Sequence, residues 1–208
     1  MNRPTLFLLR LGILVPFVYY GTKVAAAPFF PGFSFVGTVA SEMGSTLSRH
    51  SAIFNVGLMA LGVITLLASV GFLLALRRTG VNPTLTLLTS VDIALNGVQS
   101  LWAALHPLPD PRHAGYTVFV AGMFVLPVML ALSLWRGASP PMKAYLVATL
   151  LLLVAMVPVM TGLTGIDRRA HRGLVQRVYT LAIFPPIGVG AWALARRVED
   201  LTSSESVA

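Results

Sequence analysis

Cysteine is absent from this 208-residue chain and acidic residues are scarce, with seven Asp and Glu against 15 Lys and Arg. Without a thiol, the protein has no disulfide, no thiolate metal ligand and no Cys nucleophile. Charged residues make up 11% of the sequence, against about 25% in a typical soluble domain. Hydrophobic residues make up 56%. A short chain cannot enclose so much apolar surface in a water-soluble core, so we expect lipid to solvate part of it.

Long segments without any charge indicate how the chain meets lipid. Residues 51–76, 113–135 and 144–166 contain no Asp, Glu, Lys or Arg, and a helix needs about 20 apolar residues to cross a hydrocarbon core of roughly 30 Å. The sequence predicts an all-α fold, with a single domain of six transmembrane helices over residues 1–197. The predicted spans are about 5–27, 51–76, 84–106, 114–135, 144–164 and 177–195. The polar tail at residues 198–208 is expected to be disordered.

The first apolar segment is also compatible with a signal peptide, because Arg3 precedes it and small residues follow at 24–27. Arg10 interrupts its apolar region, so we interpret residues 5–27 as a retained helix. Arg10 and Lys23 are then expected to extend to opposite interfaces.

Charge placement bears on orientation and partners. Six spans put both termini on one side, and the Arg residues before the first helix favour a cytoplasmic location for them, in the plasma membrane. The net charge of +8 would suggest nucleic acid in a soluble protein. Here the cations flank the spans, so we expect the protein to contact the lipid bilayer and not to bind nucleic acid.

Titratable side chains collect on the face opposite the termini. They are His50, His106, His113 and His171, with Glu42, Asp110 and Asp167. Within the third helix, Asp92, Asn96 and Gln99 follow the spacing i, i+4, i+7 and share one helical face. Asp92 lies about 12 Å into the span, where a carboxylate costs at least about 2.5 kcal/mol. Two interpretations stay open: polar side chains that join helices by hydrogen bonds, and a path for a proton or ligand.

A metal site is an alternative hypothesis. The Pro-rich segment 106–113 is stiff enough to hold two His residues, and three neutral imidazoles with an open position would suit a catalytic zinc. The candidate ligands are His106, His113 and His171, although their spacing matches no short metal motif. The leading interpretation involves no cofactor.

Two further motifs allow a functional interpretation, but each also has a structural or incidental one. Ser41 with a loop His and a carboxylate could form a nucleophilic triad, but no G-x-S-x-G segment surrounds it. The cations Arg168, Arg169 and Arg172 suit either a lipid phosphate or an ordinary helix flank.

The loop after the first span contains four Phe residues between positions 29 and 35. Such a loop would aggregate in water, so we expect it to lie at the interface or to fold back over the bundle and cover a polar pocket. Pro31-Gly32 predicts a turn within it.

The same loop supports a family resemblance. Residues 31–35 read Pro-Gly-Phe-Ser-Phe, residues 41–44 read Ser-Glu-Met-Gly, and Phe54-Asn55 opens the second span. With His113-Ala114-Gly115 and the segment 171–177 (His-Arg-Gly-Leu-Val-Gln-Arg), this order resembles the domain of unknown function 998 family over nearly the whole chain. Met43 stands where the family usually has Leu, and the family's frequent Cys-bearing third loop is absent. The resemblance implies a small six-helix membrane protein and no particular activity.

Two functions from different classes follow. In the first, the protein binds or passes a small molecule or lipid through a polar pocket on the extracytoplasmic side. The residues predicted to line that pocket are Ser41, Glu42, Asn55, Asp92, Asn96, Gln99, His113, His171, Gln176 and Arg177. In the second, the protein is a membrane-embedded, metal-dependent hydrolase acting on lipids. Both require Glu42, His113 and His171 to converge, and passage also requires Asp92 to face the bundle interior.

Overall fold

The computed structural model describes residues 3–115 and 117–205 and shows an all-helical bundle, which confirms the predicted fold class. The α-helices are α1 (Arg3–Ala26), α2 (Ser51–Arg78), α3 (Pro83–Leu105), α4 (Thr117–Leu134), α5 (Pro140–Thr161), α6 (Arg172–Thr180) and α7 (Phe184–Glu205). Short 3₁₀ turns lie at Ala27–Phe29, Ala40–Gly44, Pro111–Ala114 and Trp135–Gly137. No strand occurs in these described ranges.

The first five predicted spans correspond to α1 through α5, but the sixth does not form one helix. Residues 181–183 separate α6 from α7. Pro185 and Pro186 follow immediately, and a proline has no N–H to continue the ladder and disfavours helical backbone before it. In the first turn of a new helix those missing donors cost nothing. The chain therefore restarts as α7 after a short break.

The expectation of disorder from residue 198 is also corrected. α7 continues through Glu205, and Val198 is fully buried against the bundle core. The buried side chain of Val198, at the first position of this segment, packs against the core where the helix continues into the polar residues. Residues 206–208 lie outside the described residues.

Four helical segments are long and apolar enough to cross a membrane, namely Arg3–Phe29, Ser51–Arg78, Pro140–Thr161 and Arg172–Ser204. The helical segment Ala121–Gly137 is apolar but shorter. α3 is not among the four segments, and it contains several Thr, Ser and amide side chains. The fold is therefore that of a membrane protein, while the count of six crossings stays a prediction.

The two ends of the bundle differ in character. Arg10 near the start of α1 lies 3.7 Å from Glu199 of α7, and Arg197 donates to the carbonyl of Leu134 at 3.1 Å. The chain ends and the short connections 79–82 and 135–139 therefore share one end, which we call the terminal face. The longer connections 27–50, 106–116 and 162–171 form the opposite end, which we call the loop face.

α2 lies at the centre of the bundle and packs against α1, α3 and α7. Small residues permit the closest of these contacts: a Cβ added to Gly62 would lie 2.8 Å from the carbonyl oxygen of Gly97, and one on Gly97 would lie 3.0 Å from that of Gly62. Such glycine pairs let membrane helices approach backbone to backbone. The contact holds α3 with one face against α2 and leaves another for α4.

The first loop folds back over the bundle. Phe30 and Phe33 pack against a buried cluster formed by Ala26, Ala40, Met43 and Phe54. This loop also covers Lys23, which the sequence predicts to be a freely extending side chain at the end of the first span. Its side chain is only 7% exposed, and its Nζ lies 3.4 Å from the centroid of the Tyr19 ring.

Candidate functional site on the loop face

Hydrogen bonds to backbone carbonyls of the first loop fasten that loop to α6. The Leu174 N–H donates to the Val36 carbonyl at 2.9 Å. Arg172 Nε donates to the Gly37 carbonyl at 3.0 Å, and Arg177 donates to the Thr38 carbonyl at 2.9 Å. We call residues 36–42 and 172–177 together the clasp.

Side chains complete the clasp. Gln176 Oε1 accepts a hydrogen bond from the Ala40 N–H at 2.6 Å. Glu42 Oε1 accepts one from Arg172 at 2.6 Å, while its Oε2 accepts from the Val39 N–H at 2.9 Å. Three residues predicted to meet a ligand, Glu42, Gln176 and Arg177, therefore also hold the protein's own backbone.

Glycine makes the close approach within the clasp feasible. A Cβ on Gly173 would clash with the carbonyl oxygen of Thr38. Gly44 is equally confined, since a Cβ there would clash with the side chain of Asn55. Asn55 Nδ2 donates to the Gly44 carbonyl at 3.0 Å, so this predicted pocket residue anchors the far end of the loop.

A cavity of about 220 Å³ lies beneath the clasp. Four of the residues predicted from the sequence line it: Ser41, Gln99, His113 and Gln176. The other lining residues are Tyr19, Ala40, Phe54, Leu58, Ser100, Ala103, Met123, Phe124, Met160, Tyr179, Thr180 and Phe184. The cavity thus joins the first loop to α1, α2, α3, α4, α5, α6 and α7, with a few polar groups among apolar walls. We call it the loop-face cavity.

His113 has a defined role in this wall. Its Nδ1 lies 2.7 Å from the carbonyl oxygen of His106. Because a carbonyl only accepts, Nδ1 carries the proton, and Nε2 is the nitrogen with a free lone pair in the neutral ring. His113 therefore brings a hydrogen-bond acceptor to a cavity that it lines.

Ion pairing stabilises the loop that carries His113. Asp110 accepts hydrogen bonds from Arg112 Nε at 3.0 Å and from Arg112 Nη2 at 2.8 Å. These bonds and the Arg112 N–H hold the pKa of the Asp110 carboxyl well below its usual range. Trp102 of α3 donates from Nε1 to the Arg112 carbonyl at 2.7 Å, which ties the loop to the helix below it.

The polar face of α3 continues inward from the loop-face cavity. Asp92 is 6% exposed and Asn96 is 1% exposed, so this face points into the bundle as passage requires. Asn96 Nδ2 donates to the Asp92 carbonyl at 2.9 Å. Asp92 Oδ2, Asn96 Oδ1 and Gln99 Oε1 are all buried without a hydrogen-bond partner in the described part of the protein. Buried acceptors are rarely left in this state.

α4 supplies space and further polar groups on this face. A Cβ on Gly122 would approach Asp92 Oδ1 to 2.8 Å, so glycine leaves room for the carboxyl. One turn farther from the loop face, the hydroxyls of Thr89 and Ser133 lie 2.7 Å apart. Ser133 in turn lines a larger cavity of about 840 Å³ on the terminal face, between the connections 79–82 and 135–137 and the end of α7.

His171 does not reach the loop-face cavity, and Glu42 is held by Arg172 in the clasp. The convergence of Glu42, His113 and His171 that both predicted functions required is therefore not found at this cavity. Of the predicted pocket residues, those that line it instead are Ser41, Gln99, His113 and Gln176.

His171 is exposed, and it lines a separate depression of about 400 Å³ with apolar residues of α5 and α6. Its Nδ1 lies 3.0 Å from the Asp167 carbonyl oxygen. The described residues contain no group of three His, Cys, Asp or Glu side chains able to hold a metal ion. His106, His113 and His171 are therefore not brought together as a ligand set.

The cationic run at 168–172 is partly occupied by the protein itself. Arg172 pairs with Glu42, and Arg168 donates to the Met160 carbonyl. Sequence reasoning missed other cavity residues, including Tyr19, Tyr179 and Thr180. A signal for the first was present, because Tyr19 and Lys23 are four residues apart at the end of an apolar span and therefore share a helical face.

These features define a class of protein, namely a helical membrane protein with a cavity at one end of its bundle. A loop covers that cavity, and a few polar side chains line it. The chain belongs to the family described as Protein of unknown function (DUF998), whose model matches residues 13–193 and confirms the resemblance seen in the sequence. Neither a search of curated proteins nor a search of solved structures returned a match.

Proposed function

We propose that the protein binds a small molecule that donates hydrogen bonds in the loop-face cavity. The observation that carries this proposal is Gln99 Oε1, a buried acceptor of a cavity-lining residue with no partner in the described part of the protein. Asn96 Oδ1 and Asp92 Oδ2, farther along the same face of α3, are in the same state. An acceptor left unsatisfied in an apolar interior costs about 1–3 kcal/mol. A ligand with hydroxyl or amine donors would remove part of that cost on entering.

Cavity size argues for a small ligand. The volume of about 220 Å³ lies below the range of roughly 300–1,000 Å³ that is typical of sites for drug-sized molecules. A whole lipid does not fit such a space, whereas a short polyol or amine does. Gln99, His113 and Ser41 would supply the polar contacts, and the aromatic walls would exclude water.

The polar face of α3 supports passage as an extension of binding. Asp92 lies about 10 Å along the helix axis from Gln99 and about 4.5 Å from Thr89. Gln99 lines the loop-face cavity and Ser133, the partner of Thr89, lines the terminal-face cavity. A proton or small polar solute moving between the faces would meet Asp92 between the two cavities, nearer to Thr89 than to Gln99. With cytoplasmic termini, the loop-face cavity would open outside the plasma membrane.

Cavity filling tests this proposal. Ala103 lines the loop-face cavity, whereas Ala60 lies on an exposed side of α2. Native mass spectrometry of protein purified in mild detergent would look for a retained small molecule in wild type, Ala103→Leu and Ala60→Leu. We expect the same adduct in wild type and Ala60→Leu, and its loss in Ala103→Leu. An adduct that is unaffected by Ala103→Leu, or no adduct in any form, would contradict the proposal.

A further inference from the structure

A further cavity, distinct from those described above, lies between the end of α1, the first loop and α6. Its volume is about 440 Å³. Most of its wall is apolar, and Val24, Phe35 and Leu181 at its edge are 74%, 60% and 47% exposed. In a membrane-spanning bundle these exposed side chains face lipid, so the cavity opens toward the bilayer near its interface.

Lys23 lines this cavity with an amino group that has no hydrogen-bond partner among the residues that the structure describes. The side chain is 7% exposed, and its Nζ is buried. Its closest compensation is the face of the Tyr19 ring, 3.4 Å from Nζ to the ring centroid, with Tyr20 at 5.5 Å. Cation–π contact supports an ammonium but leaves its three donors unused.

Two further donors line the same cavity. The Tyr20 hydroxyl is buried and has no hydrogen-bond partner among the residues that the structure describes. The Arg177 guanidinium uses one nitrogen for the Thr38 carbonyl, and its central carbon lies 4.6 Å from the centroid of the Phe35 ring. An ammonium, a guanidinium and a phenol therefore meet around one space.

Carboxylates are missing from this arrangement. No Asp or Glu is among the residues that line the cavity, and Glu42, which belongs to the neighbouring clasp, is paired with Arg172. An ammonium or guanidinium buried without a partner is costly, and a bound anion offsets that cost. Donors without acceptors indicate that the missing partner carries negative charge.

We propose that this cavity binds an anionic phospholipid, with the phosphate between Lys23, Arg177 and Tyr20. The acyl chains extend past Val24 and Leu181 into the bilayer. Two cations favour a phosphate, and the apolar walls with their opening toward lipid favour a phosphate that carries chains. This site goes beyond the proposed function, because it uses a different cavity and a different ligand class.

The experiment compares lipids on delipidated protein in mild detergent, using the midpoint of thermal unfolding as a function of lipid concentration. The probes are dioleoylphosphatidylglycerol, dioleoylphosphatidylcholine, oleate and inorganic phosphate. The variant is Lys23→Met, which keeps length and removes charge, and the matched control is Lys143→Met, the other lysine of the chain. Lys143 lies on the terminal face beside Trp135.

We expect phosphatidylglycerol to raise the midpoint of wild type and Lys143→Met, and phosphatidylcholine to raise neither. Lys23→Met is expected to bind phosphatidylglycerol at least about tenfold more weakly, since it loses a charge-assisted bond. Without lipid it should be no less stable than wild type, because a buried amino group without a hydrogen-bond partner has gone. Tyr20→Phe, which removes only a hydroxyl, should weaken phosphatidylglycerol binding to a smaller degree. It replaces Lys23→Met as the test variant if Lys23→Met folds poorly.

Other outcomes overturn the proposal. An equal response to phosphatidylcholine would indicate a nonspecific lipid effect, and an unchanged response in Lys23→Met would place the phosphate elsewhere. Inorganic phosphate reproducing the full shift would identify a free-anion site, and a response to oleate alone would identify a carboxylate site. None of these results affects the loop-face cavity, which Ala103→Leu tests separately.

Discussion

Gln176 Oε1 accepts a hydrogen bond from the backbone N–H of Ala40 at 2.6 Å, across 136 positions of sequence. Both residues also line the loop-face cavity. One amide side chain therefore joins the roof of the cavity to α6 while it forms part of the wall. The family motifs around residues 31–44 and 171–177 meet at this point, and their shared structural role is to close the first loop on the bundle.

The close approach at Gly173 gives the first prediction. Gly173→Ala places a Cβ against the Thr38 carbonyl, and overpacking of this kind costs about 1–3 kcal/mol. The midpoint of thermal unfolding should fall by about 2–4 °C for each kcal/mol in a chain of this size. The loop at 27–50 should also become more sensitive to limited proteolysis.

Gly21→Ala is the matched control, because a Cβ at Gly21 meets nothing within 4 Å. It should leave proteolysis of the loop unchanged and should not lower the midpoint. Equal behaviour of the two variants would show that α6 does not hold the first loop.

The ion pair in the clasp gives a second prediction. Glu42→Gln keeps an oxygen for the Val39 N–H while it removes the charge that faces Arg172. Because the Arg172 side chain is 53% exposed, solvent screens the pair, and we expect a coupling of about 0.5–1 kcal/mol. A double-mutant cycle with Arg172→Gln measures it. A coupling within error of zero would mean that the pair is incidental to loop closure.

Asp92 separates the two interpretations of the polar face. Asp92→Asn keeps the shape of the side chain but cannot ionise, so we expect stability to be retained and proton flux to be lost. Flux is measured in proteoliposomes with a trapped pH-sensitive dye under a potassium diffusion potential. If the carboxyl only joins helices, the variant should instead lose stability, or show the flux of wild type.

Ser90→Ala provides the control for that experiment. Ser90 is buried on α3 and donates to the Thr86 carbonyl, two residues from Asp92 and about 160° away around the helix. It should leave flux unchanged. A loss of flux in both variants would indicate general damage to α3 and would remove the support for a path at Asp92.

Parts of the fold followed from the sequence because their causes are local. Charge-free segments of 20 residues predict helices, and the spacing of Asp92, Asn96 and Gln99 predicts a shared inward face. The break before Pro185-Pro186 was predictable in principle, since the missing N–H groups are visible in the sequence. The residues before and after the break are both apolar, and for this reason the sequence predicts one continuous span.

The site was less predictable because its contacts are distant in sequence. Nothing local indicates that Glu42 pairs with Arg172, or that His171 lies away from His113. The buried position of Lys23 depends on the loop that covers it. A lysine that extends from a helix end to the interface has the same sequence pattern, so the sequence does not distinguish the two. Ser41, Gln99, His113 and Gln176 line one cavity, whereas Glu42 and Asn55 hydrogen-bond to the first loop. The role of these residues in binding a ligand stays a prediction.

The absence of native cysteine allows a direct test of the central claim, that the polar face of α3 opens to solution through the loop-face cavity. Gln99→Cys lines that cavity, while Val91→Cys lies on the lipid-exposed side of the same helix. Thr46→Cys, in the exposed first loop, reports when reagent has access to the loop face.

The measurement is labelling of these single-cysteine variants with a charged, membrane-impermeant thiol reagent in sealed vesicles of each orientation. We expect Gln99→Cys to react only in the orientation in which Thr46→Cys reacts, and Val91→Cys to react in neither orientation. If Gln99→Cys is as unreactive as Val91→Cys from both sides, the polar face of α3 is closed to solution and the proposed binding site is contradicted.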